Sequence, residues 1–137
     1  MAAEAIRPED FDPRTRTLKW DRFMAMIEAE RDQGPGALLL IDLTDQSRMV
    51  AGAVPGAAND VLPLLAQALR AAIRADDLVA HSDGYRFVIL LRGASEQVGK
   101  DVRERVIDSV EDTIFITHDG IMPIAVNVDY VDLKDYA

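Results

Sequence analysis

Hydrophobic residues follow two different periods along the first third of the 137-residue chain. Between residues 20 and 31, apolar side chains recur every three or four positions among charged ones, which predicts an amphipathic helix. The turn sequence DQGPG at 32–36 ends it. Residues 37–43 (ALLLIDL) then form a nearly continuous apolar run of strand length, which is typical of a strand buried on both faces.

Two more helices are predicted downstream. A segment with proline and glycine at 52–58 favours a loop or broken helix, and Asn59 or Asp60 is expected to cap a helix that continues to about Arg74. A later helix is predicted over 95–110. Its expected buried face is a stripe of valines: Val98, Val102, Val106 and Val110.

Four short strand patterns occur in two pairs, each pair around a polar turn: 78–80 with 87–91, and 113–117 with 122–131. The first pair places Asp83-Gly84 at a hairpin tip, and the second turns at Asp119-Gly120. Strands interleaved with helices predict an α/β (α+β) fold. We expect a mixed sheet of about five strands, with 37–43 in the middle and helices on both faces.

The amino-acid composition argues against several classes of function. Acidic residues outnumber basic ones 24 to 15, for a formal charge of −9, which opposes general binding to nucleic acid or anionic membranes. The chain has no cysteine, which excludes thiol catalysis and disulfides, and its two isolated histidines argue against a histidine-rich metal site. Apolar runs are too short for membrane insertion, so we expect a cytoplasmic protein with a flexible tail or linker at 1–10 and one domain at 11–137.

Six segments occur in the order that one known family shows. They are 12–15 (DPRT) followed by Phe23, 37–42, 59–62 (NDVL), 74–80 (RADDLVA), 81–91 (HSDGYRFVILL) and 122–128. In this order they resemble the GGDEF domain, the diguanylate cyclase fold that makes cyclic di-GMP from two GTP. The resemblance implies a nucleotidyl-cyclase-like central mixed five-stranded sheet flanked by helices. The sequence ends at Ala137, before the family's last helix, which is expected to be missing.

The sequence differs from the signature of this family at the position that the resemblance assigns to metal binding. Its five positions are occupied here by Asp83, Gly84, Tyr85, Arg86 and Phe87. The resemblance implies that an acid at the third position holds Mg²⁺ together with the aspartate ending the first strand, here Asp42. A phenol beside an arginine does not replace that acid, because Mg²⁺ takes oxygen ligands in strict octahedral geometry. We therefore expect no metal site and no catalytic residue.

The implied guanine pocket is altered as well. The base-binding asparagine of the family falls at Val50, the base-binding aspartate at Asn59, and a lysine at Ser47. Each lost polar partner of a buried substrate costs about 1–3 kcal/mol. Asp42, Asn59 and the altered signature are therefore interpreted as remnants of an active site, and the sequence predicts an inactive enzyme.

A second site of the family is retained. Arg74 and Asp77 form an R-x-x-D motif six residues before Asp83, and Arg105 follows Phe87 by eighteen. The resemblance implies that these three residues form the product-inhibition site and bind cyclic di-GMP. Guanidinium groups suit guanine edges and phosphates, and a carboxylate can accept from guanine N1 and N2.

Three interpretations of the function remain open. The first is a cyclic di-GMP receptor, without cofactor, that signals as a homodimer or through a protein partner. The second is a ligand-free interaction or dimerisation module on the same fold. The residues alone also leave a plainer role for Arg74, which can complement a helix dipole or form an ordinary exposed pair with Asp77. An enzyme with weak residual activity is a third, less favoured possibility.

Overall fold

The computed structural model of the chain describes residues 6–136. Its helices are α1 (Trp20–Glu30), α2 (Asp45–Gly52), α3 (Ala57–Ala71) and α4 (Glu96–Glu111). Its strands are β1 (Gly36–Leu43), β2 (Leu78–Asp83), β3 (Arg86–Arg92), β4 (Phe115–Thr117), β5 (Gly120–Met122) and β6 (Val126–Asp132). Short 3₁₀ helices cover Pro8–Asp10 and Leu133–Asp135.

The central sheet has four strands in the order β2-β3-β1-β6, and every neighbouring pair is antiparallel. The α+β fold class and the interior place of β1 are confirmed. The expectation of one mixed five-stranded sheet is wrong, because the predicted strand 122–131 is two strands separated at Pro123. Proline has no N–H to donate to a strand ladder. The first part, β5, therefore pairs only with β4 in a separate two-stranded hairpin.

Helices cover both faces of the central sheet. On one face α1 contributes Phe23 and Ile27 to a cluster with Leu38 of β1. On the other face α3 and α4 pack against Leu39 and Ile41 of the same strand. Alternate residues of a strand point to opposite faces. The apolar run of β1 therefore reflects cover on both sides of an antiparallel sheet, and not the parallel pairing that such runs often indicate.

Three helix predictions need correction. Helix α3 begins at Ala57, after Gly56 with a φ of 77°, so Asn59 and Asp60 lie inside its first turn and do not cap it. It ends at Ala71, before Arg74. Helix α2 was not predicted, because its three apolar residues are consecutive and give no helical period; the hydroxyl of its N-cap Thr44 accepts from the Ser47 backbone N–H.

The predicted buried stripe of α4 is wrong at its first position, where Gly99 and not Val98 is buried. Val98 is 40% exposed, whereas Val102, Val106 and Val110 are buried as expected. Gly99 takes the inward position at the start of the helix, where a Cβ would lie 2.5 Å from Cε2 of Tyr130. A larger side chain would not fit between helix and sheet there, which explains why the valine at 98 points outward.

Residues 1–5 of the predicted tail lie outside the described residues. Within the rest of it, Asp10 ends the first 3₁₀ helix and pairs with Arg22 of α1 at 3.5 Å. The boundary between residues 10 and 11 stays a prediction. No helix within residues 6–136 is long and apolar enough to cross a membrane.

Candidate nucleotide-binding surfaces

Asp42 lies near the end of β1 and is surrounded by two arginines. Its Oδ2 accepts a hydrogen bond from Nη2 of Arg48 at 2.7 Å and lies 3.4 Å from Nε of Arg86. Its Oδ1 accepts from the backbone N–H of Leu43 at 2.8 Å. Both carboxylate oxygens of Asp42 are therefore occupied by donors from the protein itself. The two guanidinium groups neutralise its charge.

The tip of the β2–β3 hairpin lies beside this ion-pair cluster. Asp83 ends β2, and Gly84, with a φ of 50°, and Tyr85 form the two-residue tip, one position later than predicted. Arg86 also pairs with Asp83 at 3.6 Å. Tyr85 is half-buried against the core. Burial raises the pKa of the Tyr85 phenol, an effect that Arg14 opposes, so the group is neutral at physiological pH. No cluster of three or more His, Cys, Asp or Glu within residues 6–136 is arranged to hold a metal ion.

The three altered positions of the implied guanine pocket do not share one site. Ser47 and Val50 line a small depression of about 180 Å³ beside the segment that leads into β6. Ser47 is buried, and its Oγ accepts from the backbone N–H of Ala125 at 2.9 Å. The Asn59 side chain instead accepts from Nη2 of Arg14 at 2.8 Å. Each of these polar groups already has a partner within the fold.

Arg74 and Asp77 form a closed, fork-shaped pair in the turn between α3 and β2. Oδ2 of Asp77 accepts from the backbone N–H of Arg74 at 3.0 Å and from its Nε at 3.1 Å, and Oδ1 accepts from Nη2 at 3.0 Å. The Asp77 side chain has no exposed surface, whereas that of Arg74 is 52% exposed. Asp77 raises the pKa of the Arg74 guanidinium. The plainer interpretation of an ordinary exposed pair is therefore wrong for Asp77.

Burial also changes what Asp77 can do for a ligand. A guanine edge would have to displace Arg74 to reach the carboxylate, because all three of the hydrogen bonds above come from that residue. Arg74 additionally donates from Nη2 to the carbonyl oxygen of Arg92 at 2.9 Å, which ties the turn to the end of β3. In this arrangement Asp77 orients Arg74 and does not itself face solvent.

Arg74 and Arg105 line the same surface depression, of about 480 Å³, between the end of α3 and the middle of α4. Asp108 and Ser109 of α4 complete its wall. Arg105 is exposed, and within residues 6–136 it has no ion pair. The fold thus brings together two arginines that are 31 positions apart in sequence, and leaves both guanidinium groups accessible.

Comparison with known proteins identifies the family. The family described as "Diguanylate cyclase, GGDEF domain" matches residues 18–130. The chain belongs to the GGDEF domain family. This confirms the resemblance that the six motif segments indicated. No match was found among curated proteins.

Solved GGDEF structures share the fold. The FimX GGDEF domain from Pseudomonas aeruginosa has a TM-score of 0.81 at 19% identity, over 93% of this chain and 83% of that one. The diguanylate cyclase SiaD of the same organism, in complex with its activator SiaC, has a TM-score of 0.79 at 23% identity, over 89% of this chain. The DgcB GGDEF domain from Caulobacter crescentus, in complex with c-di-GMP, has a TM-score of 0.76 at 14% identity, over 94% of this chain and 80% of that one.

This GGDEF chain spans 49% of the SiaD chain. Identities of this size establish a shared fold, and the side chains of the site must be judged by their own chemistry. Arg48 was not anticipated at the remnant site, because it lies on the unpredicted helix α2. The sequence does carry one signal for this helix: Thr44 is a capping residue and Asp45 is a first-turn acid. A helix that starts there places Arg48 within its first turn.

Proposed function

We propose that this GGDEF domain is catalytically inactive and acts as a receptor for cyclic di-GMP. The observation that supports inactivity most strongly is the position of Asp42 between Arg48 and Arg86. Two cations pair with the one carboxylate that remains of the metal site. Mg²⁺ needs several oxygen ligands, and the position of the second acid holds the neutral phenol of Tyr85.

The receptor proposal rests on the depression that Arg74 and Arg105 share. Guanidinium groups donate paired hydrogen bonds to phosphate oxygens or to guanine O6 and N7, which cyclic di-GMP presents together. Asp77 serves as a positioning residue that holds Arg74 in place. The DgcB domain bound to c-di-GMP has the same fold, which favours this ligand class. Because cyclic di-GMP is two-fold symmetric, a bound ligand can join two copies of one surface into a dimer.

Calorimetric titration with cyclic di-GMP tests the receptor. Arg105→Ala should weaken binding at least tenfold, about 1.4 kcal/mol, since it removes a charged donor from the depression. Lys100→Ala is the matched control: it removes one positive charge from the same helix, where Lys100 makes only a surface pair with Glu96, and it should leave the dissociation constant within twofold. Equal affinity in the wild type and Arg105→Ala, or no binding by the wild type, would contradict the receptor.

A GTP turnover assay with Mg²⁺ tests inactivity. We expect no cyclic di-GMP from the wild-type chain, and none from a double variant with Tyr85→Asp and Arg86→Glu. Val50 has no hydrogen-bonding side-chain atom, and the side-chain oxygen of Asn59 already accepts from Arg14. An established active diguanylate cyclase under the same conditions is the positive control. Product at a rate comparable to that control would refute inactivity.

A ligand-free dimerisation module is the second candidate, and one feature favours it. Ile116 and Ile121 face each other across the β4–β5 hairpin and are 64% and 74% exposed. Paired apolar side chains left in water suit a contact with a second copy of the chain. Sedimentation analysis of the wild type and Ile121→Ser, without nucleotide, separates the candidates: a dimer lost in the variant supports the module, and a monomer in both contradicts it.

A further inference from the structure

The loop that leads into α1 contains an arginine in an unusual backbone conformation. Arg16 has a φ of 59°, and it is the one non-glycine residue with positive φ within residues 6–136. Residues with a Cβ pay a steric cost in this left-handed region, which glycine avoids. A long cationic side chain is thus held where a glycine would be the less strained choice, and such outliers often mark functional positions.

Arg16 lines a pocket of about 250 Å³ between this loop, the end of α3 and the start of β2. Arg70 and Arg74 line it as well, while Phe11, Leu18 and Ile73 supply apolar wall. The Arg74–Arg105 depression shares Arg74 and Ile73 with this pocket, but neither Arg16 nor Arg70. The pocket therefore combines three guanidinium groups with an apolar wall, and Arg105 is not part of it.

Arg74 is paired with Asp77, but the other two guanidinium groups of this pocket are not neutralised by an acid in the described part of the chain. Within residues 6–136 neither Arg16 nor Arg70 forms an ion pair; Arg70 donates from Nη1 to the backbone carbonyl of Thr15. Burial and, after it, the neighbouring Arg16 guanidinium lower the pKa of Arg70. The carboxylate of Asp77 is occupied by Arg74. Two like charges thus meet in a chain of net charge −9, where acids are plentiful elsewhere.

We propose that this pocket binds a phosphate group through Arg16 and Arg70, at a site distinct from the cyclic di-GMP depression. A phosphate oxygen accepts from guanidinium groups in a matched, charge-assisted geometry, and its negative charge relieves the repulsion between the two arginines. The phosphate can come from free inorganic phosphate or from a mononucleotide whose base lies against the apolar wall. This inference needs neither Arg105 nor cyclic di-GMP, so it does not depend on the proposed function.

Calorimetry and amide chemical shifts of the whole chain, titrated at low ionic strength with inorganic phosphate and separately with GMP, test the site. Arg16→Gly is the decisive variant, since glycine fits the backbone at this position and the fold should be retained. We expect its dissociation constant for the tighter probe to rise about tenfold or more. Lys100→Ala, which removes a positive charge elsewhere, should change it by less than twofold.

The outcomes separate this site from the receptor. Arg105→Ala should keep the affinity for phosphate and weaken the binding of cyclic di-GMP. Arg16→Gly should weaken the binding of phosphate and keep the affinity for cyclic di-GMP. Tighter binding of GMP than of phosphate supports a nucleotide source, and similar affinities support free phosphate. The proposal is overturned if neither probe binds the wild type, or if Arg16→Gly binds both probes as tightly as Lys100→Ala does.

Discussion

Replacing Asp77 by alanine tests whether a buried carboxylate maintains the turn between α3 and β2. The Asp77 side chain has no exposed surface, and its oxygens accept three hydrogen bonds, all from Arg74. Asp77→Ala removes the acceptor of the Arg74 backbone N–H and leaves the guanidinium without its partner. The turn that presents Arg74 to solvent should then loosen.

The loss of stability in Asp77→Ala follows from the two kinds of hydrogen bond that the carboxylate accepts. A backbone N–H bonded to a carboxylate contributes about 1.5–3 kcal/mol. The guanidinium contributes less, about 0.5–1 kcal/mol, because the Arg74 side chain is half exposed and water screens the pair. Asp77→Ala should therefore lower the free energy of unfolding by about 2–4 kcal/mol. Asp77→Asn keeps an oxygen for the backbone N–H, so its loss should be smaller, about 1–2 kcal/mol.

Urea unfolding followed by the fluorescence of Trp20, which stacks on Phe23 in α1, measures these changes. With a typical dependence on urea, the Asp77→Ala midpoint should fall by about 1–2 M. Asp76→Ala, at an exposed neighbouring position, removes the same charge and should stay within about 0.5 kcal/mol of the wild type. Equal midpoints for Asp77→Ala and Asp76→Ala would refute the reasoning. Equal losses for alanine and asparagine at position 77 would refute the assigned importance of the backbone bond.

Two further predictions concern packing and pH. Gly99→Ala should lower the free energy of unfolding by about 1–2 kcal/mol, because the added Cβ would meet Tyr130. Gly52→Ala, where the added Cβ would have nothing within 4 Å, should raise it by up to about 1 kcal/mol. Equal shifts of the two variants in thermal unfolding would contradict this. The His118–Asp60 pair, 2.8 Å between Nδ1 and Oδ2, raises the pKa of His118 and lowers that of Asp60. The pair should stabilise the fold fully between about pH 4 and 6.5. The stabilisation should be lost at higher pH, where His118 loses its proton, and at lower pH, where Asp60 gains one. A His118 titration midpoint at or below 6.5 by NMR would contradict this prediction.

Local hydrophobic patterns predicted most elements of the fold. Helix α1 has eleven residues and strand β1 has eight, and both elements formed within one residue of the predicted bounds. The β2–β3 hairpin also formed around its polar turn. These features depend on the period of apolar side chains and on turn residues, which a short stretch of sequence carries by itself. Helix α2 was missed because only three of its eight residues are apolar and these are consecutive, so they show no helical period.

The motif segments, together with the family resemblance, likewise predicted the family, the loss of the second metal-binding acid at Tyr85, and the retained Arg74 and Arg105. None of that required knowledge of how distant segments meet. Residue types at given positions are enough to say that position 85 carries a phenol and that two arginines are available. Whether the chain binds cyclic di-GMP stays a prediction for the titration to decide.

Only the tertiary structure decided which partners these side chains have. Asp42 lies between Arg48 and Arg86 because α2 and the β2–β3 hairpin both pack beside the end of β1. Asp77 is buried under Arg74 in a turn that is covered by the packed elements around it. Arg16 lies beside Arg70 because two segments that are far apart in sequence pack together. Burial and charge pairing are properties of the packed assembly of elements. A local pattern therefore identified the chemistry available to this chain, while long-range packing determined where each charge is neutralised and where it remains open to a ligand.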